Sequence, residues 1–159
     1  MAKKPSERSP MGYALHYLTV KDRTVREMQT YLDGKDFGEA DVDATIQRLL
    51  ENGLLDDARY AKAFVETRLN TKPISRAHLY RQMLEHGLSK TDIEAALETV
   101  DGETEAQNAA TVAAKYVRQY RIRGEENLRE RVLTRLVSRG FSYEAARRGL
   151  ETALLEEDA

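Results

Sequence analysis

The chain repeats one pattern three times: a helix-forming segment, a short break and a second helix-forming segment. The breaks are centred on Phe37, Leu88 and Phe141, which lie 51 and 53 residues apart. Apolar residues recur nine and five residues before each break and five and nine residues after it: Met28, Leu79 and Val132; Leu32, Met83 and Leu136; Val42, Ile93 and Ala146; and Ile46, Leu97 and Leu150. A spacing of four residues places side chains on one helical face. The pattern therefore predicts pairs of amphipathic helices, with the break residue buried at the turn between them.

The residues around each break fit the end of one helix and the start of the next. Gly87 and Gly140 directly precede two of the break residues and suit the left-handed conformation that often ends a helix. Gly38, Ser89 and Ser142 follow the break residues, and both residue types are accepted as helix N-caps. The turn chemistry supports the same repeat as the apolar spacing.

A further helix is predicted ahead of each pair, over residues 11–20, 56–69 and 105–120. Ser9 is the predicted cap of the first helix. Either Asp56 or Asp57 caps the corresponding helix of the second repeat, because acidic residues there accept free N–H groups and complement the helix dipole.

The predicted fold is all-α, with three tandem three-helix repeats forming an elongated helical array. The repeats span 10–55, 56–101 and 102–159, and residues 1–9 are predicted to form a flexible tail. Each repeat is small for an independent core, so neighbouring repeats are expected to stack. The chain has only nine glycines and three prolines, and its long proline-free stretches exclude a β-sandwich or barrel.

Composition limits the function classes. There is no cysteine, which excludes disulfides and thiol catalysis, and three isolated histidines are few for a metal site. The net charge is −2, so any contact with nucleic acid has to come from a local patch. The sequence has no run of about 20 apolar residues and no signal peptide pattern, so we expect a soluble cytoplasmic protein without membrane contact.

One stretch departs from this balance. Between positions 115 and 148, ten basic residues stand against four acidic ones, and nine of the ten are arginine. Arginine suits planar recognition of carboxylate and phosphate, and interleaved tyrosines are typical of surfaces that bind single strands. A solvated helical face is the alternative interpretation. The candidate partner-binding residues are Lys115, Arg118, Tyr120, Arg121, Arg123, Arg129, Arg131, Arg135 and Arg139.

Catalysis finds little support in the sequence. Asp56 and Asp57 could form a paired carboxylate for acid chemistry or Mg²⁺ binding, but a helix N-terminus, where acids cap free N–H groups and complement the dipole, is the favoured interpretation. No nucleophile–base pair, phosphate-binding glycine loop or metal-ligand set is visible, so we do not expect enzymatic activity.

Three segments together are similar to a known family. They read ALHYLTVKDRTVREMQTYL at 14–32, GLLDDARYA at 53–61 followed by Phe64 and Arg68, and RGFSY at 139–143. In this order and spacing they resemble the RecX family of bacterial regulators of the RecA recombinase.

The resemblance implies a monomeric, curved rod of helices that lies in the groove of the RecA filament on single-stranded DNA. It implies inhibition of recombinase, ATPase and co-protease activity, with the DNA contacted inside the filament and no cofactor. An autonomous DNA-binding protein that uses the basic third repeat is the alternative. Residues 70–76, NTKPISR, depart from the glycine-containing basic stretch that the family usually carries there.

Overall fold

The structure is a computed structural model that describes residues 8–159. Over that range the secondary structure is entirely helical, which confirms the predicted all-α class and helical repeat array. The helices are α1 (Pro10–Val20), α2 (Val25–Asp33), α3 (Glu39–Glu51), α4 (Asp57–Thr71), α5 (Arg76–Glu85), α6 (Lys90–Leu97), α7 (Gly102–Ile122), α8 (Leu128–Ser138) and α9 (Tyr143–Glu157). Most of the predicted tail, residues 1–7, lies outside the described residues. None of the helices just named has the length and hydropathy needed to cross a membrane.

The apolar positions of the repeat form the core. All twelve residues that flank the breaks are buried, each with at most 8% of its surface exposed. Leu88 and Phe141 are also buried, but the prediction is wrong for Phe37, which is half-buried. Its ring packs against Tyr13, itself only partly buried, with centroids 5.8 Å apart at the rim of the core. The residue before it, Asp36, takes the left-handed conformation with φ of 61°, which aspartate tolerates.

The five-residue step from the core to the break has a hydrogen-bonding cause. The Leu88 N–H donates to the Met83 carbonyl, and the Phe141 N–H donates to the Leu136 carbonyl, each at 3.2 Å. A bond of this length along the chain, with an apolar contact between the same two residues, is the Schellman ending of a helix. The five-residue spacing in the sequence therefore reflects the same type of helix ending at both breaks.

Two separate constraints, the backbone conformation and the close packing, require glycine at both of these helix ends. Gly87 and Gly140 have φ of 83° and 98°, which side chains rarely adopt. A Cβ at Gly87 would lie 2.5 Å from the Arg26 side chain, and one at Gly140 would lie 2.8 Å from the Ser75 hydroxyl. The tight turns thus also allow close packing against a neighbouring segment.

Helix starts are formed as predicted. The hydroxyl oxygens of Ser9, Ser89 and Ser142 each accept a hydrogen bond from the backbone N–H three residues further on. Thr24 opens α2 with a complete capping box, in which its hydroxyl accepts from the Glu27 N–H and the Glu27 carboxylate accepts from the Thr24 N–H. These bonds satisfy N–H groups that the helix itself leaves without partners.

The helices divide into two compact units. Within the described range, unit 1 consists of residues 8–64 and 83–93, and unit 2 consists of residues 65–82 and 94–159. Helices α4, α5 and α6 each contribute residues to both units. The three repeat boundaries taken from the sequence stay a prediction.

In unit 2, α7 and α9 form the most extensive helix pair. They approach closely at Gly149, where an added Cβ would lie 2.6 Å from the Ala110 backbone nitrogen and 2.7 Å from the Ala109 Cβ. The facing side of α7 is lined by small buried residues, among them Ala106 and Ala113. Two helices can approach each other this closely only where both of them carry small residues at the contact.

The two adjacent acids serve two different helices. Asp56 caps α4, because its Oδ1 accepts from the Arg59 N–H at 3.1 Å. Asp57 instead accepts from the Val25 N–H at the start of α2, at 3.0 Å. Burial raises the pKa of Asp57 above its ordinary value, the bond from Val25 opposes the shift, and three neighbouring carboxylates add to it.

Replacing Asp57 by asparagine and replacing it by alanine should therefore change the unfolding free energy in opposite directions. Asp57→Ala leaves the Val25 N–H without its acceptor and should cost about 1 kcal/mol or more. Asp57→Asn keeps an acceptor and removes the disfavoured charge, so it should be at least as stable as the parent at neutral pH. A carboxyl pKa that is raised in the folded state makes folding more favourable as the pH falls. The unfolding free energy of the parent should therefore increase relative to that of Asp57→Asn as the solution is acidified. Denaturant titrations at several pH values measure both effects.

Candidate partner-binding surface

All nine candidate residues lie in unit 2. Lys115, Arg118, Tyr120 and Arg121 are on α7, Arg123 is its C-cap, Arg129, Arg131 and Arg135 are on α8, and Arg139 is the C-cap of α8. The eight basic side chains are exposed, whereas Tyr120 is partly buried. The structure thus places the positive charge at the surface, on two consecutive helices.

Half of these basic side chains also bind carboxylates of the same chain. The ion pairs are Arg118–Glu157 at 3.0 Å, Arg121–Asp158 at 2.8 Å, Arg131–Glu125 at 3.3 Å and Arg129–Glu151. Three of the four carboxylates belong to α9 or its C-cap, so the pairs connect α7 and α8 to α9. Each exposed pair stabilises a protein by only about 0–1 kcal/mol, and the guanidinium groups stay available to a stronger anion.

The interleaved tyrosines pack inside the unit. Tyr116 is 5% exposed, and its ring stacks on that of Tyr120 with centroids 6.0 Å apart. The guanidinium groups of Arg135 and Arg139 lie over the Tyr116 ring, 5.3 and 5.6 Å from its centroid. These cation–π contacts fix the direction of two arginines. The tyrosine–arginine alternation in the sequence therefore describes packing as well as charge.

Three of the candidate residues line a cavity of about 500 Å³ in unit 2. Its walls come from the last turn of α4, residues 72–75, α5, α7 and the turn between α8 and α9. Five basic residues line it: Arg68, Lys72, Lys115, Arg118 and Arg139. Among the described residues that line the cavity, none is aspartate or glutamate. We call these five side chains and the space between them the basic cavity.

Sequence reasoning missed two of the five cations of the basic cavity. Arg68 and Lys72 lie more than forty residues before Lys115, and only the fold brings the segments together. The one available signal was the departure of residues 70–76 from the family pattern, since Lys72 stands in that stretch.

A buried serine holds the wall of the basic cavity in place. Ser75 is 1% exposed; its Oγ accepts from the His78 N–H at 3.1 Å and donates to the Arg139 carbonyl at 2.9 Å. One hydroxyl thus caps the start of α5 and binds the end of α8. Asn108 on α7 donates to the Ile74 carbonyl at 3.3 Å and secures the adjoining residue. The site is built on fixed backbone, and its charges favour an anionic ligand.

Two family models match the chain: the first three-helix domain of RecX over residues 11–49 and the second three-helix domain of RecX over residues 56–97. Together these segments cover about half of the chain. The regulatory protein RecX of Enterococcus faecalis is 28% identical over 145 residues, which are 91% of this chain and 54% of that protein. The regulatory protein RecX of Finegoldia magna is 31% identical over 137 residues, 84% of this chain and 66% of that protein. The chain spans about half the length of most of the curated relatives it matches.

Solved structures agree with the sequence matches. The crystal structure of RecX from Lactobacillus salivarius superposes with a TM-score of 0.82 at 25% identity and covers 94% of both chains. A second crystal structure of a regulatory protein RecX has a TM-score of 0.78 at 28% identity, covering 86% of this chain and 68% of that one. The resemblance inferred from the sequence is confirmed, and the chain belongs to the RecX family.

Proposed function

We propose that this chain regulates the RecA recombinase by binding along the groove of the filament that RecA forms on single-stranded DNA. In this proposal it inhibits the recombinase, ATPase and co-protease activities of that filament and acts by binding alone. The observation that carries the proposal is the match, in order, to both RecX three-helix domains. The naming of the matched relatives as regulatory proteins supports it.

The basic side of unit 2 is the proposed contact surface. A nucleoprotein filament presents phosphates and acidic side chains, and a chain of net charge −2 is attracted to it through a locally positive face. The exposed arginines of α7 and α8 provide that face. Their bidentate geometry suits both kinds of anion.

Replacing Arg118, Arg121, Arg129 and Arg135 together by alanine should weaken inhibition of RecA at least tenfold, or about 1.4 kcal/mol or more. All four side chains are exposed, so the helical content should not change. The measurement is DNA-dependent ATP hydrolysis by the cognate RecA, titrated with the parent and the variant.

A matched control separates the cations from the ion pairs they form. Glu151→Gln, Glu157→Gln and Asp158→Asn combined break three of the same pairs but leave every arginine in place. This variant should inhibit as well as the parent. A quadruple arginine variant that melts like the parent and still inhibits fully would place the contact surface elsewhere.

The basic cavity favours a second candidate function, autonomous DNA binding. Such a protein should bind bare single strands tightly and lose affinity steeply between about 50 and 200 mM salt, in proportion to the phosphates it neutralises. A filament regulator should bind bare strands weakly and the RecA filament well. Titrating both targets at both salt concentrations distinguishes the two functions.

A further inference from the structure

The basic cavity has features that a flat contact with a filament does not require. It is concave, and its volume of about 500 Å³ falls in the range of about 300–1,000 Å³ typical of sites for small ligands. Two of its cations, Arg68 and Lys72, come from a different part of the chain than the α7–α8 surface. The cavity therefore extends the α7–α8 surface into a concave site that shares three of its cations.

Its charges are strongly unbalanced. Besides Arg68 and Arg118, which interact with other groups of the chain, Lys72, Lys115 and Arg139 line the same space. The Arg139 guanidinium lies over the Tyr116 ring, and this contact orients the side chain without neutralising its charge. Cations that line one space repel one another, and an anion bound there offsets that repulsion. The cavity should thus bind an anion that carries several charges in a small volume.

Apolar and polar walls narrow the ligand class further. Pro73, Ile74 and Val112 line the same space as the cations, so a ligand with both a ring and a charged group matches the cavity. A peptide carboxylate carries a single charge, whereas a nucleotide joins a flat ring to clustered phosphate charge. We propose that the basic cavity binds a nucleoside 5′-phosphate, either a free nucleotide or the phosphorylated 5′ end of a strand.

Titration of the full chain with ATP, followed by calorimetry, tests the proposal directly. Lys72→Ala and Lys115→Ala together should weaken ATP binding at least tenfold, because two cavity charges are removed. The control Lys62→Ala with Arg147→Ala removes the same charge from exposed positions outside the cavity and should bind like the parent. Lys72→Arg with Lys115→Arg keeps the charge and should also retain binding.

Thermal melting gives an independent readout. ATP should raise the melting temperature of the parent and the control, since a ligand that binds the folded state stabilises it. The rise should be lost in the Lys72→Ala, Lys115→Ala variant. Without ATP that variant should melt close to the parent, because both lysine side chains are exposed and exposed substitutions change stability little.

Oligothymidylates with and without a 5′-phosphate identify the source of the ligand. Tighter binding of the phosphorylated strand supports a strand end, and ATP binding without that preference supports a free nucleotide. The proposal is overturned if ATP fails to bind at millimolar concentration and both strands bind equally, or if the double lysine-to-alanine variant binds ATP like the parent. RecA is absent from every arm, so these results do not depend on the proposed regulation.

Discussion

Replacing Phe141 by alanine is expected to lower the free energy of unfolding of unit 2 by about 3–5 kcal/mol. Phe141 is 3% exposed and belongs to the core that α7, α8 and α9 share. The loss combines the transfer free energy of the ring with the cavity left behind, and the Schellman turn also loses its apolar contact with Leu136. A loss of this size is a large fraction of the stability of a typical domain.

Calorimetric melts of the parent and the variant measure this loss. Tyr143→Ala is the matched control, since it removes an aromatic ring two residues away that is 65% exposed. The control should change the unfolding free energy by no more than about 0.5 kcal/mol. An unchanged melting transition in Phe141→Ala would show that the ring is not part of the core.

Gly149→Ala should destabilise unit 2 by about 1–3 kcal/mol or more, although alanine is the better helix former. The new Cβ would meet backbone atoms of Ala109 and Ala110 at 2.6–2.7 Å, and backbone cannot rotate away as a side chain can. Helices α7 and α9 would have to separate along their length. Denaturant unfolding curves measure the change.

Gly102→Ala, in the same helix pair, is expected to have the opposite effect on stability. Gly102 is the first residue of α7, and an added Cβ there meets nothing within 4 Å. This variant should be as stable as the parent or more stable, by up to about 1 kcal/mol. If both glycine variants were equally tolerated, the close approach of α7 and α9 would be contradicted.

The repeat could be predicted because its signals are local. Apolar residues four apart, a glycine at the helix stop and a serine after it all act within one helix–turn–helix segment, and those side chains are buried or capped as expected. Phe37 departs because its exposure depends on how far Tyr13 and the rest of α1 cover it. That coverage is a matter of packing between helices, which local spacing does not report.

The contents of the candidate site were only partly predictable for the same reason. Charge composition indicated the basic stretch, but the pairs with Glu151, Glu157 and Asp158 join residues more than twenty positions apart. The basic cavity needs Lys72 and Lys115 to line the same space, which no pattern along the chain predicts. Gly149 carries no signal at all, since a glycine within a helix reads only as a weak helix former.

The division of the chain between two units has a consequence for its synthesis. A growing polypeptide emerges from its N-terminus, and compact units fold as their segments become available. Unit 1 is complete once residue 93 has emerged, whereas unit 2 combines residues 65–82 with residues 94–159 and is complete only when its second segment has emerged. Val65, Ile74 and Leu79, which are buried in the finished protein, belong to the segment of unit 2 that emerges first. Translation speed over the C-terminal helices therefore sets the interval between the completion of unit 1 and the completion of unit 2.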